Sequence, residues 1–311
     1  MQAEAIRAQR QLEIQANRYG FLRKKKSDTD FVEYFKILIE GKKSSKSNHD
    51  TWISTLNYIE KYTGGSLMFS QITEQFCNDF RKFLLTSSTF RSSKTNLSKN
   101  AASTYFNKFK ASIYQAFRDQ LIETDIASKV NYIKIEETHK EFLTLEELKK
   151  LEKTKCVFPI LKRAALFSAL TGLRISDIKK MKWSEVCQNT SGHFIRYKQQ
   201  KTGSNESLYI SDSAYELLGE RQLDIDLVFP GINNSAIDNA HLKTWLNDAG
   251  VYRKITFHSF RHTYATLLVS NGVDIYTVSK MLGHKNVKTT QVYSKVVDKL
   301  KIEAANSITL K

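Results

Sequence analysis

Apolar residues recur at helical spacing through the first 125 positions. Phe31, Phe35, Leu38 and Ile39 form one stripe, and Trp52, Leu56 and Ile59 form a second. Phe76, Phe80, Phe83 and Leu84 form a third, with Thr73 placed to cap that helix. Phe106, Phe109, Ile113, Phe117 and Leu121 form the fourth. Four amphipathic helices with short polar connections predict a small helical bundle. The aromatic stripes then read as core rather than as platforms for stacking bases. Upstream, residues 3–19 are rich in Ala, Gln, Glu and Arg and predict one further helix.

The pattern changes at residues 126–140, a polar stretch (ASKVNYIKIEETHKE) that reads as a linker. A second domain starts sharply after it. Thr144 and Glu147 have the spacing of a capping box, and Leu143 can staple against Leu148. An apolar helix follows over residues 159–170. The period then falls to two in HFIRYKQQ and ESLYI, which flank KTGSN and predict a β-hairpin with Gly203 in its turn. From Asn239 onward the pattern is helical again. The expected fold is mainly α with a small β-hairpin or sheet (α+β). The expected divisions are an N-terminal helix and basic linker (1–26), a helical domain (27–125), a linker (126–140) and a second domain (141–311).

Composition narrows the partners. The chain of 311 residues carries 48 Lys and Arg against 32 Asp and Glu, a formal charge of +16. That balance favours a polyanion, with nucleic acid ahead of an anionic membrane surface. With 12 Gly and 2 Pro, collagen-like and Pro-rich readings are excluded. No apolar run approaches the length of a membrane span, and the first residues lack a signal-peptide core. The three cysteines, Cys77, Cys156 and Cys187, are too scattered for a disulfide framework and fit a reducing compartment. Between Arg81 and Arg118 there is no acidic residue, while Arg81, Lys82, Arg91, Lys94, Lys99, Lys108 and Lys110 alternate with Ser, Thr and Asn. These are phosphate-contacting residue types, and the seven are the expected DNA contacts of this domain. A solvated basic loop is the alternative.

Four short segments carry chemistry only when taken together. In TGLRISDIKKMKW, Arg174 stands at a helix start, against the macrodipole, where an anion would stabilise it. In QQKTGSN, Lys201 sits in the hairpin turn, with Lys198 as a nearby competitor. In TFHSFRHTYATLL, His258 and Arg261 share a helical face. His258 and His262 also have a zinc-like i, i+4 spacing, but Ser259 replaces the Glu of a zinc protease and no third ligand follows. No metal is expected, and His262 reads as structural. In MLGHKNVKTTQVYSKV, His284 precedes Tyr293 by nine residues in a Lys-flanked, acid-free stretch.

Arg174, Lys201, His258, Arg261, His284 and Tyr293, in that order, resemble the active-site set of the tyrosine recombinases, the phage-integrase family. The resemblance covers 141–311. Asp177 departs from the Glu often found in the corresponding Arg-x-Ser-Glu-Leu run. Residues 27–125 resemble the family's helical core-binding (SAM-like) domain more weakly. The N-terminal part resembles integrases of conjugative or integrative mobile elements, in which an arm-binding domain lies upstream; residues 1–26 would be its tail.

The resemblance implies a site-specific recombinase that integrates or excises a mobile element through a 3′-phosphotyrosyl intermediate, with no cofactor. Tyr293 would be the nucleophile, and Arg174 and Arg261 the phosphate clamp. His258 would accept a proton, His284 would donate to the phosphate, and Lys201 would protonate the leaving 5′ oxygen. The partners implied are duplex core-site DNA, a tetramer of this chain on DNA, and accessory bending or excision proteins, in a cytoplasmic, nucleoid-associated setting with no membrane. The two domains would clamp the duplex, and the apolar stripe Val296, Val297, Leu300 and Ala304 would dock on a neighbouring protomer. A chromosome-dimer resolvase shares this chemistry. A type IB topoisomerase uses similar steps but reseals the same strand. A DNA-binding regulator on a decayed scaffold would not keep all six residues.

Overall fold

The computed structural model describes residues 29–136, 140–200, 203–294 and 306, and the chain divides into two compact units, the first ending at residue 138. The N-terminal helix expected at 3–19, the C-terminal stripe at 296–304 and Lys201 lie outside the described residues.

The first unit is built from α1 (Phe31–Glu40), α2 (Lys46–Thr63), α3 (Glu74–Thr86), α4 (Lys99–Arg118) and a short α5 (Ile126–Lys129). Helix starts are capped as the side chains dictate. Asp30 accepts from the backbone N–H of Val32 at 2.6 Å, Thr73 from Phe76 at 3.1 Å and Ser98 from Ala101 at 3.2 Å. Phe109 of α4 is a hub of the core. Its ring lies 5.7 Å from Phe31 in an edge-on arrangement and 4.7 Å from Phe80. All three rings are fully buried.

Two features of this unit depart from the sequence reading. The Ser-, Thr- and Lys-rich connection after α3 is an antiparallel hairpin, β1 (Ser88–Thr89) with β2 (Ser92–Asn96), rather than a loop. Residues 126–133 are not linker. Ile126, Ala127, Val130 and Ile133 are buried in the core of the first unit, and the Ile133 carbonyl accepts from Ser103 at 3.1 Å. Their spacing is too short and polar residues too frequent for a hydrophobic period to stand out.

The second unit contains α6 (Leu145–Lys153), α7 (Pro159–Thr171), α8 (Ile175–Ile178), α9 (Asp212–Glu216), α10 (Ala236–Asp248), α11 (Phe257–Ser270), α12 (Ile275–Met281) and α13 (Gln291–Ser294). The capping box forms: Thr144 accepts from Glu147 N–H at 3.2 Å, and Glu147 accepts from Thr144 N–H at 2.8 Å. Leu143 is fully buried and its N–H donates to Thr263 of α11 at 2.8 Å. The expected hairpin is β4 (Gly192–Lys198) with β5 (Asn205–Tyr209), in register Lys198 to Asn205. A third strand, β3 (Val186–Asn189), pairs antiparallel with β4 and makes the sheet order β3-β4-β5. The core is centred on α7, α10 and α11, with Phe167, Trp245 and Phe260 buried. A smaller apolar cluster joins Tyr264, Ala265 and Val269 of α11 to Val278, Leu282 and Tyr293. No helix among the described residues is long and apolar enough to cross a membrane.

Candidate active site

Three elements converge around Arg261. Helix α7 ends at Gly172, in the left-handed region at φ 70°, where a β-carbon would lie 2.5 Å from the Tyr264 ring. Only glycine fits. The turn puts Arg174 at the start of α8 and aims the Gly172 carbonyl at α11. Arg261, on the second turn of α11, donates to that carbonyl and to the Leu282 carbonyl at 2.6 Å. It is 3% exposed, yet charged. Burial, helped by the Arg174 charge, pushes its guanidinium down to about 10, which still leaves it protonated at neutral pH.

His284 completes the corner. Its Nε2 lies 3.1 Å from Arg261 Nη2, and its Nδ1 lies 2.8 Å from Thr290 Oγ1. Guanidinium has no acceptor, so Nε2 accepts from Arg261, and Nδ1 carries the proton donated to Thr290. Thr290 is fully buried, and its carbonyl accepts from the Tyr293 N–H at 3.0 Å. The loop bearing His284 and the turn bearing Tyr293 are therefore tied through one threonine.

Tyr293 is 4% exposed and packs within the small apolar cluster. Burial raises its phenol above the ordinary value, while the nearby charges of Arg261 and Arg174 pull it down. Its hydroxyl lies 2.8 Å from His262 Nδ1. The competing tyrosines are differently placed. Tyr264 points its hydroxyl at the Met281 sulfur, 3.8 Å away, and burial pushes it up to about 12, whereas Tyr276 is 66% exposed.

The hairpin approaches from the other side. Gln199, at its turn, is 1% exposed, and its amide oxygen accepts from Arg174 Nη1 at 3.0 Å. The turn is closed by Gln199 N–H to the Ser204 carbonyl at 2.8 Å and Gly203 N–H to the Gln199 carbonyl at 2.9 Å. Asp177, which stands where the family often has Glu, accepts from the Gln200 N–H at 3.0 Å. Lys198 is exposed on β4.

Such a corner combines two arginines, a histidine and a buried tyrosine, and it suits a phosphodiester anion. The phage integrase family profile matches residues 141–299, just over half of the chain, and the phage integrase SAM-like domain matches residues 30–133. The chain belongs to the phage integrase family. Among relatives of this chain, tyrosine recombinase XerC of Anoxybacillus flavithermus is 32% identical over 139 residues, which cover 40% of this chain and 46% of XerC. The chain spans about half the length of the curated XerC relatives it matches. Among solved structures, a lambda integrase dimer bound to a COC′ core site has the same fold, with a TM-score of 0.65 at 17% identity, covering 94% of this chain and 85% of that one. The Tn1549 transposon integrase in complex with circular intermediate DNA gives a TM-score of 0.63 at 18% identity, covering 85% and 95%.

Within this chain, Arg174, Arg261, His284 and Tyr293 are brought together. His258 stands one helical turn before His262, the two rings 4.5 Å apart and edge-on, and is exposed. Sequence reasoning missed three residues of the site. His262 was placed with the structural residues but holds the tyrosine hydroxyl. Thr290 and Gln199 are neutral side chains whose roles arise only from folding. The Arg-His doublet in FRHTY was the one local signal, since residue 262 lies next to the buried Arg261.

The basic residues of the first unit divide. Arg91 and Lys94 are exposed on the hairpin and, among the described residues, meet no carboxylate. Lys82 pairs with Asp79 at 3.3 Å and Lys99 with Glu136 at 3.0 Å, both exposed. Arg81 donates to the Asn131 carbonyl at 3.2 Å. Lys108 donates to Asn48 at 2.7 Å with its ammonium over the Trp52 ring. Lys110 departs from its expected role as a DNA contact. It is 5% exposed, donates to the Val130 carbonyl and lies 3.7 Å over the Tyr132 ring. Its position on the inner face of α4, beside Phe106, Phe109 and Ile113, commits it to holding residues 130–132 in place.

Proposed function

We propose that the chain is a site-specific DNA recombinase that cuts and rejoins duplex DNA through a covalent phosphotyrosyl intermediate, and that it integrates and excises a mobile element. One observation carries this reading: a buried tyrosine hydroxyl held by a histidine within the electrostatic reach of two arginines, one of them desolvated beside a second histidine.

Arg174 and Arg261 would bind the two non-bridging phosphate oxygens and stabilise the charge that grows as Tyr293 Oη attacks phosphorus. The O5′–P bond breaks as the Oη–P bond forms, so the bond energy is kept for rejoining. Lys201 supplies the proton to the 5′ oxygen. In the resting site His284 accepts from Arg261, and donation to the phosphate requires it to give up that bond or gain a proton. The exposed Arg91 and Lys94 would contact the DNA backbone. A tetramer on DNA, accessory bending or excision proteins, and a cytoplasmic, nucleoid-associated location belong to the same proposal, as do the domain limits 1–26 and 141–311.

The deciding experiment incubates the protein with candidate element-end DNA nicked close to the cleavage point, so that the short 5′ fragment diffuses away. A protein–DNA adduct on a denaturing gel is the expected result, and its absence with every element end would reject the reading. The similarity to XerC favours a second reading, chromosome-dimer resolution, by the same chemistry. Recombination of two identical sites on one circle, with no element end required, would select it. Relaxation of supercoils without Holliday junctions would instead indicate a type IB topoisomerase.

A further inference from the structure

Tyr293 is buried against a half-buried His262, and this pairing is not the one that motif spacing suggests. His258 lies on the exposed side of α11, while His262 faces inward toward Tyr293. We propose that His262 is a catalytic residue: its Nδ1, 2.8 Å from the Tyr293 hydroxyl, holds the nucleophile in the resting site and takes its proton once a DNA phosphate fills the corner formed by Arg174, Arg261 and His284. This proposal rests on the reading of Tyr293 as the nucleophile.

The electrostatics of the pair give the step a trigger. Burial pushes His262 down to about 4, and the charges that face it act in the same direction: His258 and Arg261 from α11, Lys140 from the strand of chain entering the unit, and His284 from the loop after α12. Burial also raises Tyr293. Without DNA, both partners are therefore neutral at pH 7. With the imidazole proton on Nε2, the phenol donates to Nδ1, and no phenolate is present to react. A phosphate anion placed among Arg174, Arg261 and His284 opposes the charges that weaken His262 as a base. The substrate then strengthens the base that activates its own attacker.

The proton balance closes without any further reagent. As Oη bonds to phosphorus, its proton passes to His262 Nδ1, which becomes imidazolium, and the departing 5′ oxygen takes a proton from the general acid. Rejoining reverses both transfers.

The test uses the full chain and the nicked substrate, under single-turnover conditions from pH 5 to 9. In His262→Asn the amide oxygen can still accept from the phenol but cannot take its proton. The expected result is a cleavage rate lower by about 10²–10⁴, the usual contribution of a general base, with loss of the rising limb of the pH profile. Half-site binding and the melting temperature should stay close to wild type. In His262→Ala, added imidazole should restore part of the rate. His258→Asn should keep the rising limb. A second measurement needs no change at residue 262. In Tyr293→Phe protein, the histidine ¹⁵N signal of residue 262 should titrate at higher pH with uncut DNA bound than without it.

Wild-type rate and profile in His262→Asn would overturn the proposal, as would a slowed rate with the rising limb intact, or a titration that DNA does not move. Failure of the underlying reading looks different: Tyr293→Phe would itself form an adduct.

Discussion

Gly283 lies against the side chain of Gln199, so closely that a β-carbon on it would stand 1.9 Å from the Gln199 amide nitrogen. The same glutamine accepts from Arg174, so the His284 loop, the hairpin turn and one of the two arginines proposed to bind phosphate interlock at a single buried amide. Gly283 also adopts φ 59°, which disfavours any β-carbon. Gly283→Ala is expected to displace Gln199 and release Arg174. Gln199→Leu should do the second without straining the loop. Loss of a hydrogen bond to a charged group costs about 1.5–3 kcal/mol, which corresponds to roughly 10–100-fold in cleavage rate. Adduct formation on the nicked substrate should fall by that factor in Gln199→Leu while gel-shift affinity holds. A Gln199→Leu protein that cleaves normally would show that Arg174 needs no support.

Tyr293→Phe is expected to abolish covalent attachment and to bind half-site DNA almost as well as wild type, because the ring still fills the apolar cluster with Tyr264, Val278 and Leu282. The hydroxyl is lost and the packing is kept. An adduct from the Phe protein, mapped by peptide mass, would shift the nucleophile to Tyr264 or Tyr276.

Arg261 does two jobs, and its variants should separate them. In the proposed reaction Arg261→Ala removes a transition-state donor, which typically slows cleavage about 10²–10³-fold. It also strands the buried carbonyls of Gly172 and Leu282, each costing about 1–3 kcal/mol. The melting temperature should therefore drop as well. Arg174→Ala should slow cleavage comparably but lower the melting temperature less, since Arg174 is half-buried and bonds one side-chain amide where Arg261 bonds two buried backbone carbonyls. Equal thermal losses in both variants would contradict this division.

What the sequence disclosed follows from what has a local signature. The aromatic stripes of α1 to α4 and the capping box of α6 are periodic or fixed-spacing features, and each forms where its pattern lies, except that α4 stops at Arg118, short of Leu121. The site was legible wherever an unusual residue sits in an unusual context, as with Arg174 at a helix start or Tyr293 in an acid-free run. His262, Gln199 and Thr290 have no such signature. Their contacts cross 31, 25 and 6 residues of sequence, and only folding creates them. Lys110 failed in the opposite sense. Its context is basic, but its position on the inner face of α4 turns it toward the Val130 carbonyl.

Acidification should weaken the second unit through His262. The unfolded chain protonates this histidine near 6.5, whereas the folded site resists until about 4. Below 6.5 the unfolded state therefore binds the extra proton. The contribution to stability is fully present above 6.5 and is lost as pH falls from 6.5 toward 4. Denaturant melts at pH 7.5, 6, 5 and 4.5 should show a shallower decline for His262→Asn than for wild type. Parallel declines would mean that the residue is not held neutral by the fold.

The last prediction concerns the basic residues of the first unit, which look alike in sequence and differ in the fold. Exposed phosphate contacts release counterions, and each one lost should reduce the log–log salt dependence of binding by about 0.9. Arg91 and Lys94 project from the β1–β2 hairpin with no carboxylate near them among the described residues, so Arg91→Ala and Lys94→Ala should each flatten the slope by roughly that amount. Lys82 and Lys99 are already shared with Asp79 and Glu136, and their replacement should change the slope less. Lys110→Met should leave the slope unchanged, because the ammonium it removes is buried against the Val130 carbonyl and the Tyr132 ring. It should instead lower the melting temperature, since the Val130 carbonyl loses its side-chain donor and residues 130–132 lose their tie to α4. Half-site titrations from 50 to 300 mM salt, paired with melts of the same proteins, measure both effects. A flattened slope in Lys110→Met would place that lysine on the DNA after all, and unchanged slopes in Arg91→Ala and Lys94→Ala would take the hairpin off it.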